Sequence, residues 1–160
     1  MALLSIVAST TPFPQASAQE TGSGSLVIQH PWARATPPGA PVGGGYVTIA
    51  NKGATADKLV GGTVDVAASV EIHQMTTEDG VMKMRQLDGL EVPAGGEVTF
   101  SPDGLHLMFV GLKHGLKKGQ HIEGTLVFEK AGTVKVEYEV EGIGAKASSS
   151  GQSMPGMNMN

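Results

Sequence analysis

The chain has 160 residues, a formal net charge of −4 and no cysteine. This length favours one domain that buries its core without disulfides or a structural metal, and the charge balance gives no support for a nucleic-acid or anionic-membrane partner. The missing thiols exclude disulfides, zinc-thiolate and iron–sulfur sites, a cysteine nucleophile and a blue-copper centre.

The N-terminal segment is interpreted as an export signal followed by a linker. Residues 3–8 form a short apolar run, and Ala-Ser-Ala at 16–18 fits an A-x-A cleavage site before Gln19. The basic residues that usually begin such a peptide are missing, so a plain apolar N-terminus stays as the alternative. The run is too short to span a bilayer. We therefore assign residues 1–18 to a signal-peptide remnant and 19–25 to a linker, and we expect a periplasmic, exported protein with no membrane span in the mature chain.

Short β-rich runs separated by turn residues fill the chain from residue 26 to residue 143. Val, Ile, Thr and Tyr dominate the runs, Gly, Pro, Asn and Asp separate them, and no window shows a long apolar stripe of period 3.6. The pattern predicts an all-β domain, either an antiparallel β-sandwich or a barrel. The predicted strands are 26–31, 45–51, 58–64, 69–76, 81–87, 96–101, 105–112, 121–130 and 133–141.

The last strand and the tail after it differ sharply in pattern. Alternation predicts that four residues of the strand face the core and four face solvent. The inward set is Val134, Val136, Tyr138 and Val140, and the outward set is Lys135, Glu137, Glu139 and Glu141. Residues 144–160 are rich in Ser, Gly, Pro and Asn and contain no β-branched residue, which predicts a disordered tail.

The segment EIHQMTTEDGVMKMRQ, residues 71–86, holds one of the five histidines and three of the eight methionines of the chain. Period-2 alternation places His73 and Met75 on one strand face, and Met82 and Met84 on one face of the next strand. The Glu-Asp-Gly sequence at 78–80 predicts a hairpin turn. A hairpin centred between positions 78 and 79 would make His73 face Met84 and Met75 face Met82, about 5 Å apart at Cβ. A bulge at the turn would shift this register.

A second His–Met pair occurs in the segment LHLMFV. His106 and Met108 share one strand face, opposite an apolar set that fits a core: Leu105, Leu107 and Phe109. Imidazole and thioether groups are neutral, and the soft thioether sulfur binds Cu(I) well and zinc, magnesium or calcium poorly. Methionine is also a common core filler, and a single histidine on a strand is often structural. Packing therefore stays open as an alternative to copper ligation.

The spacing of these residues, H-x10-M-x21-H-x-M, resembles the periplasmic copper chaperone family called PCuAC. The resemblance runs from Leu26 to Val140 and includes HPWARATPPGA, GGGYVTIANKG, GVMKMRQLDGLEVPAGGEVTFSPDGLHLMFVGL and GTLVFEKAGTVKVEYEV. It implies a cupredoxin-like antiparallel β-sandwich with Greek-key connections. It also implies one Cu(I) ion, with ligands at His73, Met84, His106 and Met108.

The resemblance further implies a role. Such a protein would be a non-enzymatic, monomeric Cu(I) carrier that passes copper to an acceptor, either cytochrome c oxidase subunit II or an assembly thiol protein. Met75 and Met82 would then be accessory thioethers or rim packing. Two alternatives remain from the residues alone: a copper-dependent redox enzyme, and a structural β-sandwich that binds no metal.

Family members often end in a tail rich in His and Met that binds additional copper. Here the tail contributes three thioethers, Met154, Met157 and Met159, but no histidine. The thioethers could collect Cu(I) or shield the main site. A second site for Cu(II) stays open as an alternative, although the tail offers no imidazole with which to build it.

Overall fold

The structure is a computed structural model that describes residues 20–148, which form β-strands and no helix. The strands are β1 (Glu20–Ser23), β2 (Leu26–Arg34), β3 (Val42–Asn51), β4 (Asp57–Val64), β5 (Ala67–Glu78), β6 (Val81–Leu87), β7 (Leu90–Val92), β8 (Glu97–Thr99), β9 (Leu105–Leu112), β10 (His121–Phe128) and β11 (Gly132–Glu141). No element of this described part is a helix long and apolar enough to cross a membrane. The all-β prediction is confirmed.

Seven of the strands close into a barrel. Their order is β2-β11-β10-β4-β5-β9-β3, and β3 pairs again with β2. All neighbours are antiparallel except β2 and β11, which run parallel with Trp32 beside Glu139. The other strands add to this barrel: β1 on β2, β8 on β3, β6 on β5 and β7 on β4. As a result, β5 and β9 are held by hydrogen bonds along both edges.

The barrel interior is filled by apolar side chains from alternate strand positions. Tyr138 and Phe109 are completely buried and meet edge to face, with ring centroids 5.3 Å apart. The predicted inward face of β11 is confirmed, since all four of its members are buried. Glu141, predicted to face solvent, is instead buried. It lies where β11 meets β2, so neighbouring chain covers a position that alternation alone would expose.

The ordered body is slightly longer at both ends than predicted. β1 lies within residues 19–25, which were assigned to a linker, and neither β1 nor β7 was predicted. At the other end Ala145 packs against the core, and its carbonyl accepts hydrogen bonds from Nε and Nη2 of Arg34. The packed body therefore continues past residue 143 within the described residues. The predicted signal peptide and the methionines of the tail lie outside the described residues.

Asp57 ties the start of β4 to the turn between β10 and β11. Its Oδ1 accepts hydrogen bonds from the backbone N–H groups of Lys58 (2.7 Å) and Lys130 (2.8 Å), and its Oδ2 accepts one from Ala131 (2.9 Å). Burial raises the pKa of this carboxyl, but the three backbone hydrogen bonds and the charge of Lys130 outweigh burial and lower it.

Asp57→Ala is expected to lower the free energy of unfolding near neutral pH by about 2–3 kcal/mol, because three N–H groups lose a charged acceptor. The contribution of a carboxyl with a lowered folded pKa is complete above its unfolded value, near 4 for Asp, and is lost as the pH falls through the folded value. Urea unfolding near pH 7 and near pH 3 should show the difference from wild type shrinking in acid. Asp65→Ala, at an exposed position, is the matched control. An equal loss at both sites would contradict this role for Asp57.

Candidate metal centre

The hairpin of β5 and β6 turns at Asp79 and Gly80, which have φ angles of 51° and 77°. Positive φ at both central residues is the geometry of a two-residue type I′ turn, which Asp-Gly favours. The turn is centred one residue later than predicted, so Met75 pairs with Met84 and Thr77 with Met82. The predicted pairing of His73 with Met84, and of Met75 with Met82, is wrong. Each residue of β5 pairs with a residue two positions further along β6 than predicted. Because side chains alternate with a period of two, this shift leaves every side chain on its predicted face.

β5 lies between β6 and β9 and brings the predicted ligands to one sheet face. On the β9 side, His73 pairs with His106 and Glu71 pairs with Met108. On the β6 side, Met84 lies opposite Met75, one pleat further along the same face. The two imidazole rings are stacked, with centroids 5.8 Å apart and planes 29° from parallel. The four side chains predicted to bind copper therefore share one face of three neighbouring strands.

This face opens into a cavity of about 370 Å³. The candidate residues that line it are Met75, Met84, His106 and Met108, and they are joined by Arg34, Tyr46 and Pro102. His73 does not line the cavity but lies against the ring of His106, and Met82 lies apart from it. A larger cavity of about 530 Å³, on the outer face of β4, β10 and β11, is lined by neither His nor Met.

The predicted ligands differ in how far their side chains are covered. His106 is buried, with 6% of its surface exposed, and Met108 is half-buried. Met84, on β6, is 52% exposed. The predicted surface site is therefore open on the β6 side and closed on the β9 side.

The hydrogen bond of His106 leaves one ring nitrogen available. Its Nδ1 lies 3.2 Å from the carbonyl oxygen of Gly104, which can only accept, so Nδ1 carries the proton and Nε2 keeps a lone pair. Burial lowers the pKa of His106, the hydrogen bond to Gly104 raises it, and the neighbouring His73 lowers it, with a net lowering. The neutral form that can bind a metal is thus favoured near neutral pH.

His73 has one nitrogen in a hydrogen bond and one without a partner. Its Nε2 lies 2.8 Å from Oε2 of Glu71, whereas its Nδ1 is buried and makes no hydrogen bond. An unpaired buried nitrogen is costly, and a bound metal ion would remove that cost. Glu71 is not among the predicted site residues, although its spacing of two from His73 places both on one strand face.

Glycines of β3 make room for the cavity and for the core beneath it. Gly44 pairs with Met108 and Gly45 with Leu107. A Cβ at Gly44 would lie 2.6 Å from the Tyr46 hydroxyl oxygen, and a Cβ at Gly45 would lie 2.4 Å from Cζ of Phe109. Larger residues at either position would displace the wall of the cavity or a buried ring.

The three remaining histidines lie away from this face. His114 contacts the carbonyl of Gly115, and Nδ1 of exposed His121 lies 3.0 Å from Oε1 of Glu137. His30 adopts a φ of 49° where the β2–β3 register shifts. Within residues 20–148 no three or more His, Asp or Glu side chains are grouped to hold a metal ion.

The family model described as "Putative lipoprotein LpqE-like" matches residues 26–140. The chain belongs to the LpqE-like family. Its relatives include "Putative lipoprotein Lxx21020" of Leifsonia xyli subsp. xyli (strain CTCB07), which is 31% identical over 129 residues, covering 79% of this LpqE-like chain and 76% of the relative.

Two solved structures resemble the LpqE-like chain in sequence and fold. The copper-bound PCuAC domain from PmoF2 is 31% identical with a TM-score of 0.68, over 78% of this chain and 98% of that domain. Cu(I)-bound DR1885 from Deinococcus radiodurans is 31% identical with a TM-score of 0.58, over 79% and 83%. These likenesses confirm the PCuAC-type resemblance and the cupredoxin-like β fold. The ligand set His73, Met84, His106 and Met108 stays a prediction.

Proposed function

We propose that this LpqE-like protein is an exported metallochaperone that binds one Cu(I) ion and passes it to a partner protein. The observation that supports this most directly is the convergence of two imidazoles and two thioethers on one sheet face, beside an open cavity. Such a ligand set is soft and neutral, and it suits Cu(I) better than zinc or a hard cation. Two proteins of similar fold have been solved with copper, one of them with Cu(I).

The graded exposure of the ligands supports transfer rather than storage. A carrier must release its ion without unfolding, so at least one ligand has to be accessible to the acceptor. Met84 meets this need, because it is 52% exposed on a strand that only β5 holds among the described strands. We propose that a soft ligand of the acceptor displaces Met84 first, while His106 and Met108 remain in place.

The acceptor that we propose is cytochrome c oxidase subunit II or a thiol protein that assembles its copper centre. Export is supported by the lipoprotein description of the family and of the Leifsonia relative, and the periplasm is the compartment that we propose. The protein itself would catalyse no reaction, and copper is its cargo.

Titration with Cu(I) against a chromogenic chelator should show one ion bound per chain and a melting temperature that rises with copper. Met84→Leu is expected to weaken binding by at least about 10-fold, because loss of even an outer-shell partner costs 10–100-fold. Met82→Leu is the matched control, since Met82 lies on the same strand and is 60% exposed but faces Thr77. It should bind as wild type does.

X-ray absorption of the copper-loaded protein should count two nitrogen and two sulfur ligands. Tight binding that survives Met84→Leu, or a stronger effect at Met82, would overturn the proposed site. Turnover with oxygen or superoxide would overturn the assignment as a carrier.

A further inference from the structure

We propose that Glu71 is a positioning residue for copper: its carboxylate holds Nε2 of His73, so that Nδ1 is the nitrogen offered to the metal. The inference rests on the proposed function and adds to it a residue outside the predicted ligand set. Glu71 lies on β5 two positions before His73, and its cross-strand partner is Met108. One predicted ligand therefore lies two residues further along β5, and another lies directly across from Glu71 on β9.

The hydrogen bond between Glu71 and His73 selects one tautomer of the imidazole. Oε2 of Glu71 lies 2.8 Å from Nε2 of His73. An ionised carboxylate can only accept, so in the neutral imidazole Nε2 carries the proton and the lone pair lies on Nδ1. That Nδ1 is buried and has no hydrogen-bond partner. A buried lone pair without a hydrogen-bond partner is costly, and a bound metal ion would provide the missing partner. The carboxylate fixes the ring so that this lone pair is available to the metal.

The neighbouring histidine is held in the opposite way. The carbonyl of Gly104 accepts from Nδ1 of His106, which leaves the lone pair of His106 on Nε2. The two stacked rings would therefore offer different nitrogens, Nδ1 from His73 and Nε2 from His106. The difference follows from the chemistry of the two acceptors, one a side-chain carboxylate and the other a backbone carbonyl.

Glu71 also supplies charge where the predicted ligands supply none. Two neutral imidazoles and two thioethers would leave the positive charge of Cu(I) uncompensated. The side chains of His73 and Glu71 are only 14% and 33% exposed, so water screens this charge incompletely. A carboxylate that accepts from a ligating histidine makes the other nitrogen a stronger donor and lowers the cost of holding the cation.

The tautomers can be measured by ¹⁵N NMR of the histidine side chains, before and after addition of Cu(I). In the copper-free wild type we expect the proton of His73 on Nε2, and on loading we expect copper on Nδ1. Glu71→Ala should lose this tautomer preference and weaken Cu(I) binding by about 10–100-fold. Glu71→Gln removes the charge, and its amide can either accept from Nε2 or donate to it, so the spectra will show which tautomer this variant holds. If the proton stays on Nε2, the variant should lose only part of the affinity. Glu97→Gln, at an exposed position on β8, is the control for a lost surface charge.

The outcomes separate this proposal from the proposed function. Wild-type protein that binds Cu(I) through Nε2 of His73 would overturn the role of Glu71 and leave the carrier function standing. Unchanged tautomer and affinity in Glu71→Ala would do the same. Wild-type protein that binds no Cu(I) would overturn the carrier function, and with it any role of Glu71 toward copper. A Glu71→Gln variant that keeps the proton of His73 on Nε2 and still binds as weakly as Glu71→Ala would overturn the positioning role, because it would show that the carboxylate supplies charge and not ring orientation.

Discussion

Replacing His106 by alanine is expected to weaken Cu(I) binding by more than about 100-fold, since a direct ligand should matter more than the outer-shell partners that are worth 10–100-fold. His106 is the most buried of the predicted ligands, and its orientation is set by the carbonyl of Gly104. No other imidazole lines the cavity to replace it. Competition with a chromogenic Cu(I) chelator measures the loss directly.

His121→Ala is the matched control for the loss of an imidazole. His121 is exposed on β10, contacts Glu137 and lies away from the cavity, so its loss should leave copper affinity unchanged. Removing a buried ring from position 106 also risks a weaker fold, which the melting temperature of the copper-free protein will report. Met108→Leu keeps nearly the same volume and removes only the sulfur. If both His106→Ala and Met108→Leu fold and still bind copper as wild type does, the predicted site is wrong.

Phe109→Ala is expected to cost about 3–5 kcal/mol of stability, which is the usual range for removing a fully buried aromatic ring. Phe109 is completely buried, packs edge to face on Tyr138 and fills the space left by Gly45. The melting temperature should fall by roughly 10–20 °C for a domain of this size. Thermal and urea unfolding of the copper-free protein provide the measurement.

Val60→Ala is the control for this prediction, because Val60 is 42% exposed and its truncation should change stability little. Phe109 is adjacent in sequence to Met108 and faces the opposite side of β9. The variant therefore also tests whether a packed core is needed to hold the ligands. A loss of stability no larger than that of Val60→Ala would show that the ring is not a main support of the barrel.

Features that depend on local alternation could be predicted from the sequence. The period of two along a strand is enough to place His73 with Met75, and His106 with Met108, whatever the partner strands are. The register of the hairpin depends instead on where the turn is centred. The Asp-Gly pair at 79–80 is a strong signal for a two-residue turn. A turn centred on these two residues implies the observed pairing of Met75 with Met84.

Features that depend on distant parts of the chain could not be predicted in this way. The pairing of β5 with β9, which sets His73 beside His106, joins segments more than thirty residues apart and leaves no periodic signal in either. The same holds for the parallel contact of β2 with β11, which buries Glu141. The contact between Arg34 and the carbonyl of Ala145 involves a single side chain and a segment without alternation, so no pattern in the sequence indicates it. The composition of residues 144–160 predicts a tail from residue 144 onward, and Ala145 therefore fell on the wrong side of the predicted boundary.

The strand β6 has a consequence for how copies of this protein behave at high concentration. Among the described strands it pairs only with β5, so its other edge presents backbone groups to which a further strand could bind. Exposed edges of this kind favour aggregation, and the exposed Met82 and Met84 would add to that tendency. Lys83 and Arg85 alternate with these methionines, and Lys83 also forms an ion pair with Glu78. Two copies that met edge to edge would bring their cations together, so the positive charges disfavour association through this open edge.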